Sequence, residues 1–271
     1  MSELRGSFEA EGYTVLRGLF NAGEVSLLRD MSANLPEYRQ ERGTHTLAGF
    51  DAASAELDLL SRHPSRIDRV KRTVGAESLR WISGYHIDKG PHSSGLEWHQ
   101  DWWAWDHRMS YSRLAVQVAL LCYLQPTTTR NGALRVLPGS HLARPYFIDD
   151  LPDAHDTRSD QLSRDNPAMR AYDGEVTVEC DAGDAVIFDY RLLHSTHPNH
   201  AAQARKAVHW SFTPNWNEVP ADLQSHLSQH PCLQVDESAL SSRVRDILPR
   251  YSGDVHYVEV NRRPHVFVAT S

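Results

Sequence analysis

A chain of 271 residues with a formal net charge of −7 and no dense run of Lys or Arg offers no basic surface for a nucleic acid. Its 40% hydrophobic and 23% charged residues are those of an ordinary globular domain, long enough for one sizeable core. The most apolar run, 114–124, contains Gln117 and is too short to cross a membrane, so no membrane partner is expected.

Cys122, Cys180 and Cys232 are widely spaced, with no CxxC pair, which gives neither a zinc knuckle nor a disulfide framework. The opening Met1-Ser2-Glu3-Leu4-Arg5 lacks the apolar core of a signal peptide, and a cytoplasmic location is the expectation. Sixteen histidines is a high count and a pointer to metal chemistry.

From the N-terminus, a helical turn leads into a brief strand around 13–16. Asn21 then reads as a helix N-cap, with Glu24 as its capping-box partner. Val25, Leu27, Leu28 and Met31 form an apolar stripe at helical spacing. Residues 36–52 are polar and read as a loop or lid, and 53–74 as one or two further helices. From 79 the period changes to two. A strand at 79–87 is followed by a Gly/Pro/Ser loop at 88–96 and then by Glu97-Trp98-His99-Gln100-Asp101-Trp102-Trp103-Ala104-Trp105.

The run 114–124 is a buried strand, and 127–132, closed by Asn131-Gly132, reads as a hairpin turn into a returning strand at 133–137. Residues 142–174 form a polar insertion expected to cover the barrel mouth. Three more strands are expected at 175–179, 184–190 and 206–213, then a helical piece near 236–248 and edge strands at 256–260 and 265–268. Helices first and short strands after is the order of an α+β protein with a jelly-roll core. A single domain over 1–271 is expected, with a helical part to about 78, the core at about 79–215 and a C-terminal extension from about 216.

Residues two apart on a strand share a face, so His99 and Asp101 can converge on one metal ion. A second histidine would complete the two-histidine, one-carboxylate set that leaves three positions open and suits non-haem Fe(II). His194, at the end of the 184–194 strand candidate with Phe188, Tyr190 and Leu192 on one face, is favoured over His197, His200 and His209. Arg205, eleven residues on, is a natural bidentate partner for a distal carboxylate. If the first strand persists, Trp103 and Trp105 continue the ligand face, whereas Trp98 and Trp102 pack into the core. His86 and Tyr146 are further candidates for contact with substrate, and His141 reads as a turn-fixing residue.

These motifs resemble the phytanoyl-CoA dioxygenase family. Trp98-His99-Gln100-Asp101, Asn131-Gly132-Ala133-Leu134 running into Leu137-Pro138-Gly139-Ser140-His141, Gly183-Asp184, and His194 with Arg205 stand in the family's order. The Phe8–Leu19 cadence, with Gly12-Tyr13, Val15-Leu16 and Gly18-Leu19, matches its N-terminus, so the likeness runs over about 8–215.

The resemblance implies a double-stranded β-helix (jelly-roll, cupin-like) core with N-terminal flanking helices, carrying Fe(II) and using 2-oxoglutarate and O2. It assigns His99, Asp101 and His194 to iron, Arg205 to the C5 carboxylate of 2-oxoglutarate, and Thr196 to a hydroxyl touching the same cosubstrate. Halogenating relatives carry Ala or Gly at the position of Asp101, so oxygenation, most simply hydroxylation of a small organic molecule in secondary metabolism, is expected. Desaturation, epimerisation and cyclisation use the same iron site. Rival readings are a non-catalytic metal-binding sensor or scaffold, against which Arg205 counts, and a cupin-like Zn or Mn hydrolase, which draws on more histidines. A monomer or homodimer is expected.

Overall fold

In the computed structural model, which describes residues 3–33, 40–42, 45–151, 162 and 166–262, strands fall into two antiparallel sheets. The larger holds β1 (Tyr13–Leu16), β2 (Gln40–Arg42), β3 (His45–Phe50), β4 (Leu79–Lys89), β6 (Val118–Tyr123), β9 (Ala185–Asp189) and β11 (Arg205–Pro214). Its spatial order is β1-β9-β6-β11-β4-β3-β2. The smaller holds β5 (Leu96–His99), β7 (Leu134–Val136), β8 (Val176–Val178) and β10 (His194–Thr196), in the order β5-β10-β7-β8. Helices α1 (Glu3–Glu11), α2 (Ala22–Ala33), α3 (Ala55–Ser61) and α4 (Pro64–Val74) precede the core, and α5 (Ala221–Ser228) and α6 (Ser242–Asp246) follow it. Among the described residues no helix is long and apolar enough to cross a membrane.

Strand β6 shows how the layers form, because it is buried throughout. Its alternate residues Val118, Leu120 and Cys122 join a cluster with Leu28, Leu57, Leu60, Ile67 and Val70 from the flanking helices. Ala119, Leu121 and Tyr123 instead meet Leu134, Val136 and Val178 of the small sheet. A two-residue period therefore serves two interfaces, helices outside and sheet on sheet inside. The helices start where polar side chains replace missing backbone acceptors. The Asn21 and Glu24 side chains each accept from the other's amide at 3.0 Å, as the capping-box reading expects. Ser54 caps α3, Pro64 opens α4, and Gly75 closes α4 at φ 69°.

Several expectations are corrected. The Asn131-Gly132 turn closes no hairpin: β6 and β7 lie in different sheets, and the turn carries the chain between them. A Cβ on Gly132 would stand 2.6 Å from Lys89 Cδ, so this glycine is required by close packing as well as by its φ of 86°. The 184–194 strand is two strands, since the chain leaves β9 after Asp189, turns, and enters the small sheet at His194. Within 36–52, β2 and β3 extend the large sheet where a loop was expected. The described part of 142–174 packs Phe147, Ile148, Leu151 and Ala168 around Trp98, on the side of β5 opposite His99, and not over the mouth. Residues 256–260 are irregular, and the expected strand at 265–268 lies outside the described residues.

Candidate active site

The site begins with register. In the β5–β10 pair His99 stands directly opposite His194, with ring centroids 4.2 Å apart. Each imidazole is oriented by its own backbone: His99 Nδ1 donates to the Glu97 carbonyl at 2.9 Å and His194 Nδ1 to the Leu192 carbonyl at 3.0 Å. That places the proton on Nδ1 and turns the Nε2 lone pair outward, the usual preparation of a metal-binding histidine.

Asp101 follows two residues after β5 has ended, so its direction is not set by strand alternation. The amide of Trp102 donates to the Tyr190 carbonyl at 2.9 Å, and the Gln100 side chain donates to the Arg191 carbonyl. Held on both sides, Asp101 presents Oδ1 3.6 Å from His99 Nε2 and Oδ2 3.7 Å from His194 Nε2. These separations are long for hydrogen bonds and short enough for one ion to touch all three donors, which lie within 4.8 Å of one another. The donor set fits Fe(II).

The Pro-Gly-Ser-His turn supports this centre from behind. The Leu193 amide donates to Ser140 Oγ at 2.8 Å and the Leu137 amide to the Leu193 carbonyl at 3.0 Å, locking the residue before His194. His141 packs under Gly12, where an added Cβ would come within 2.5 Å of its Nδ1. Asp184 accepts from the Gly18 amide at 2.7 Å and from Arg17 at 2.6 Å, tying the N-terminal segment to β9.

At the inner end of the cavity, His45, Lys89 and Arg205 line up across β3, β4 and β11. Arg205 is 2% exposed, lies over the Tyr123 ring at 5.3 Å and donates to His45 Nε2 at 3.3 Å. Its Nε is buried with no hydrogen-bond partner, and the side-chain contacts it makes among the described residues are to His45 and the Tyr123 ring, not to a carboxylate. Burial lowers its affinity for a proton, and burial together with Lys89 and Arg205 holds His45 well below the usual imidazole range. Lys89 is fully enclosed and is pushed down to about 6 by burial and then by Arg205. Its Nζ donates to the Ser94 carbonyl at 2.6 Å and to Thr196 Oγ1 at 3.2 Å. A buried guanidinium with an unused donor calls for an anion. A dicarboxylate that reaches from Arg205 to the triad, as 2-oxoglutarate does, fits that need.

Triad and anchor share one cavity of about 530 Å³, a size common for small-molecule sites. Thr196 and Trp103 line it. Trp103 Nε1 donates to Gln117 Oε1 at 3.0 Å, and its ring stacks on His226 at 4.4 Å.

A model of the phytanoyl-CoA dioxygenase family matches residues 8–207. The chain belongs to this family. Among its relatives are a probable alpha-ketoglutarate-dependent hypophosphite dioxygenase of Stutzerimonas stutzeri, 24% identical over 76% of each chain, and an ectoine dioxygenase of Sphingopyxis alaskensis, 26% identical over 71% of this chain and 69% of that one. A crystal structure of HygX from Streptomyces hygroscopicus with nickel and 2-oxoglutarate bound aligns with a TM-score of 0.62 at 19% identity, covering 79% of this chain and 88% of that one, a likeness of fold.

Within this family member, three of the sequence candidates for substrate contact stand away from the cavity. Trp105 is fully buried in the core beside it, because β5 ends at His99 and the alternation that would have turned Trp105 inward stops there. His86 points out of β4 toward the helices, its Nε2 2.7 Å from Glu56 Oε1. Tyr146 is 87% exposed against Phe147. Trp98 and Trp102 are core residues, as expected. His45, Gln117, His209 and His226 line the cavity and were not picked out as contacts. For His209 the signal was present: 205, 207, 209 and 211 share a face of β11, so an inward Arg205 implies an inward His209.

Proposed function

We propose that this chain, an iron- and 2-oxoglutarate-dependent oxygenase by family, holds iron with His99, Asp101 and His194, anchors 2-oxoglutarate on Arg205, and hydroxylates a small organic molecule. The observation that carries the assignment is the convergence of the two Nε2 atoms on the two oxygens of Asp101, at 3.6 and 3.7 Å. When bound, iron and 2-oxoglutarate supply the oxidising chemistry, in which O2 is consumed, 2-oxoglutarate yields succinate and CO2, and one oxygen atom enters a C–H bond of the substrate.

The protein's own part is placement. The Glu97 and Leu192 carbonyls keep both imidazoles in one tautomer, so that their Nε2 lone pairs, with the Asp101 carboxylate, would be available to hold iron. Arg205 supplies a desolvated cation for the distal carboxylate, and Thr196, whose Oγ1 accepts from Lys89 and from the Leu96 amide at 3.1 Å, lines the same region. Leu121, Leu134 and Phe188 give that part of the cavity apolar walls. An apolar enclosure keeps water from the reacting centre.

The purified protein, given Fe(II), ascorbate, air and 2-oxoglutarate, is expected to release succinate, and to release it faster with a substrate that fills the cavity. A wild-type protein that binds Fe(II) yet never consumes 2-oxoglutarate, alone or with candidate small molecules, refutes this reading.

A further inference from the structure

Beyond the triad and the anchor, the cavity opens into an outer chamber bounded by β11, by α5 with the segment after it, and by residues 257–262. The inference that follows rests on the oxygenase reading and asks what the outer chamber admits. Its wall holds the imidazoles of His209, His226 and His230. His209 lies four residues after Arg205 on β11, so the alternation that turns Arg205 inward turns His209 inward as well. It is 8% exposed and lines the cavity, and its Nδ1 is buried with no hydrogen-bond partner. Burial pushes it down to about 4, so the ring is neutral and offers one N–H and one lone pair. The ring therefore meets the cavity through atoms other than Nδ1. The nitrogen left for a ligand is Nε2, which as an N–H or as a lone pair can meet a hydroxyl oxygen.

His226 reaches the chamber from α5. Its Nδ1 accepts from the Val258 amide at 3.0 Å, which puts its proton on Nε2, and burial favours the neutral ring. Stacking on Trp103 at 19° holds that ring in place. Gln229 commits its amide nitrogen to the Ser225 and His256 carbonyls, both at 3.1 Å, leaving its oxygen as the remaining polar group. The other polar groups nearby are matched within the wall. Trp103 is paired to Gln117, whose amide nitrogen donates to Ser211 Oγ at 2.6 Å, and His230 Nε2 lies 3.4 Å from the Tyr85 hydroxyl.

The charges are one-sided. Among the described residues lining the cavity, Asp101 is the one carboxylate, whereas Arg205 and Arg262 both contribute to the wall. With Asp101 committed to iron, no second carboxylate among the described wall residues is left to pair with an ammonium group. Neutral hydrogen-bonding groups remain, and these suit hydroxyl or carbonyl oxygens.

We propose that the outer chamber selects a substrate rich in hydroxyl or carbonyl oxygen and without a cationic group, with His209 and His226 each pairing with one of its oxygens.

Three molecules that share one pyranose ring and differ in charge test this: D-glucose, D-glucuronate and D-glucosamine. Each is titrated anaerobically into the wild-type Fe(II)·2-oxoglutarate complex, and binding is read from the change in its visible charge-transfer band. Glucose and glucuronate are expected to bind at least about tenfold more tightly than glucosamine, equivalent to ~1.4 kcal/mol. His209→Phe, which keeps a ring and removes both nitrogens, is expected to weaken glucose binding about tenfold with 2-oxoglutarate affinity unchanged, and His209→Gln to recover part of the loss.

Glucosamine binding as tightly as glucose, or His209→Phe and His209→Gln both matching wild type, overturns the proposal. So does an intact band that none of the three sugars perturbs. A wild-type protein that forms no such band with Fe(II) and 2-oxoglutarate fails earlier and removes the oxygenase reading itself.

Discussion

The inner and outer ends of the cavity are built from different material. At the inner end every candidate ligand except Asp101 sits on a paired strand. His99 opposes His194, and His45, Lys89 and Arg205 form a row across three strands. Their positions follow from backbone hydrogen bonds and from burial on both sides, so none can shift without disturbing a sheet. The outer end shares β11 with the inner one through His209, and is otherwise made by the eight-residue α5 and by irregular chain after it. That chain is held by a few contacts: His256 N to Ser225 Oγ at 2.7 Å, Val258 N to His226 Nδ1 at 3.0 Å, and Asn261 to the Trp103 and Trp105 backbone at 2.7 and 3.0 Å. Tolerance to change should differ accordingly between the two ends. The candidate ligands rest on the sheets, whereas the outer wall apart from β11 rests on segments that can be rebuilt without touching them.

Four measurements press on this contrast. The largest effect is expected from Asp101→Ala, which removes one of three donors. Iron affinity, followed by anaerobic Fe(II) titration, should fall by more than the ~100-fold that loss of an outer hydrogen-bond partner costs, and succinate formation should vanish. Retained iron binding would move the centre elsewhere. Next, Arg205→Leu deletes a charge-assisted contact of about 1.5–3 kcal/mol, so the 2-oxoglutarate Kd should rise roughly 10- to 100-fold by calorimetry while iron binding persists. An unchanged Kd would mean that another group holds the distal carboxylate.

Lys89 gives a third, pH-dependent, measurement. Its folded value is lowered from 10.5 to about 6, so between those limits the unfolded chain binds a proton that the folded chain does not. Stability of the ligand-free protein should therefore rise with pH across that window, with a contribution of at most about 1.4 kcal/mol per pH unit. Denaturant titrations of Lys89→Met at several pH values should show this slope removed, and a slope equal to wild type would count against the assignment. The smallest effect is expected at the outer end. Tyr257 is 76% exposed, and Tyr257→Ala should leave folding stability and 2-oxoglutarate binding free energy within about 0.5 kcal/mol of wild type, changing only the response to substrate. A loss of cosubstrate binding in this variant would erase the division between the two ends.

The family, the α+β jelly-roll class and the capped helix after Asn21 were legible in the sequence, which also picked out the candidate iron and cosubstrate residues that the fold brings to one cavity. These signals are local: a residue type at a fixed spacing, a period of two or of 3.6, a side chain that closes a helix end. The tertiary structure alone decided which residues meet across sheets. The Asn131-Gly132 turn looked like a hairpin because a turn signal carries no information about which sheet its second strand joins. Trp105 looked like a wall residue because alternation was carried past His99, where the strand stops. His86 and His45 lie on strands of the same sheet, yet one faces the helices and the other the cavity, a choice made by register between β3 and β4. His226 entered the site from a helix more than a hundred residues downstream of Trp103, and only the packing of α5 against that ring brought it there.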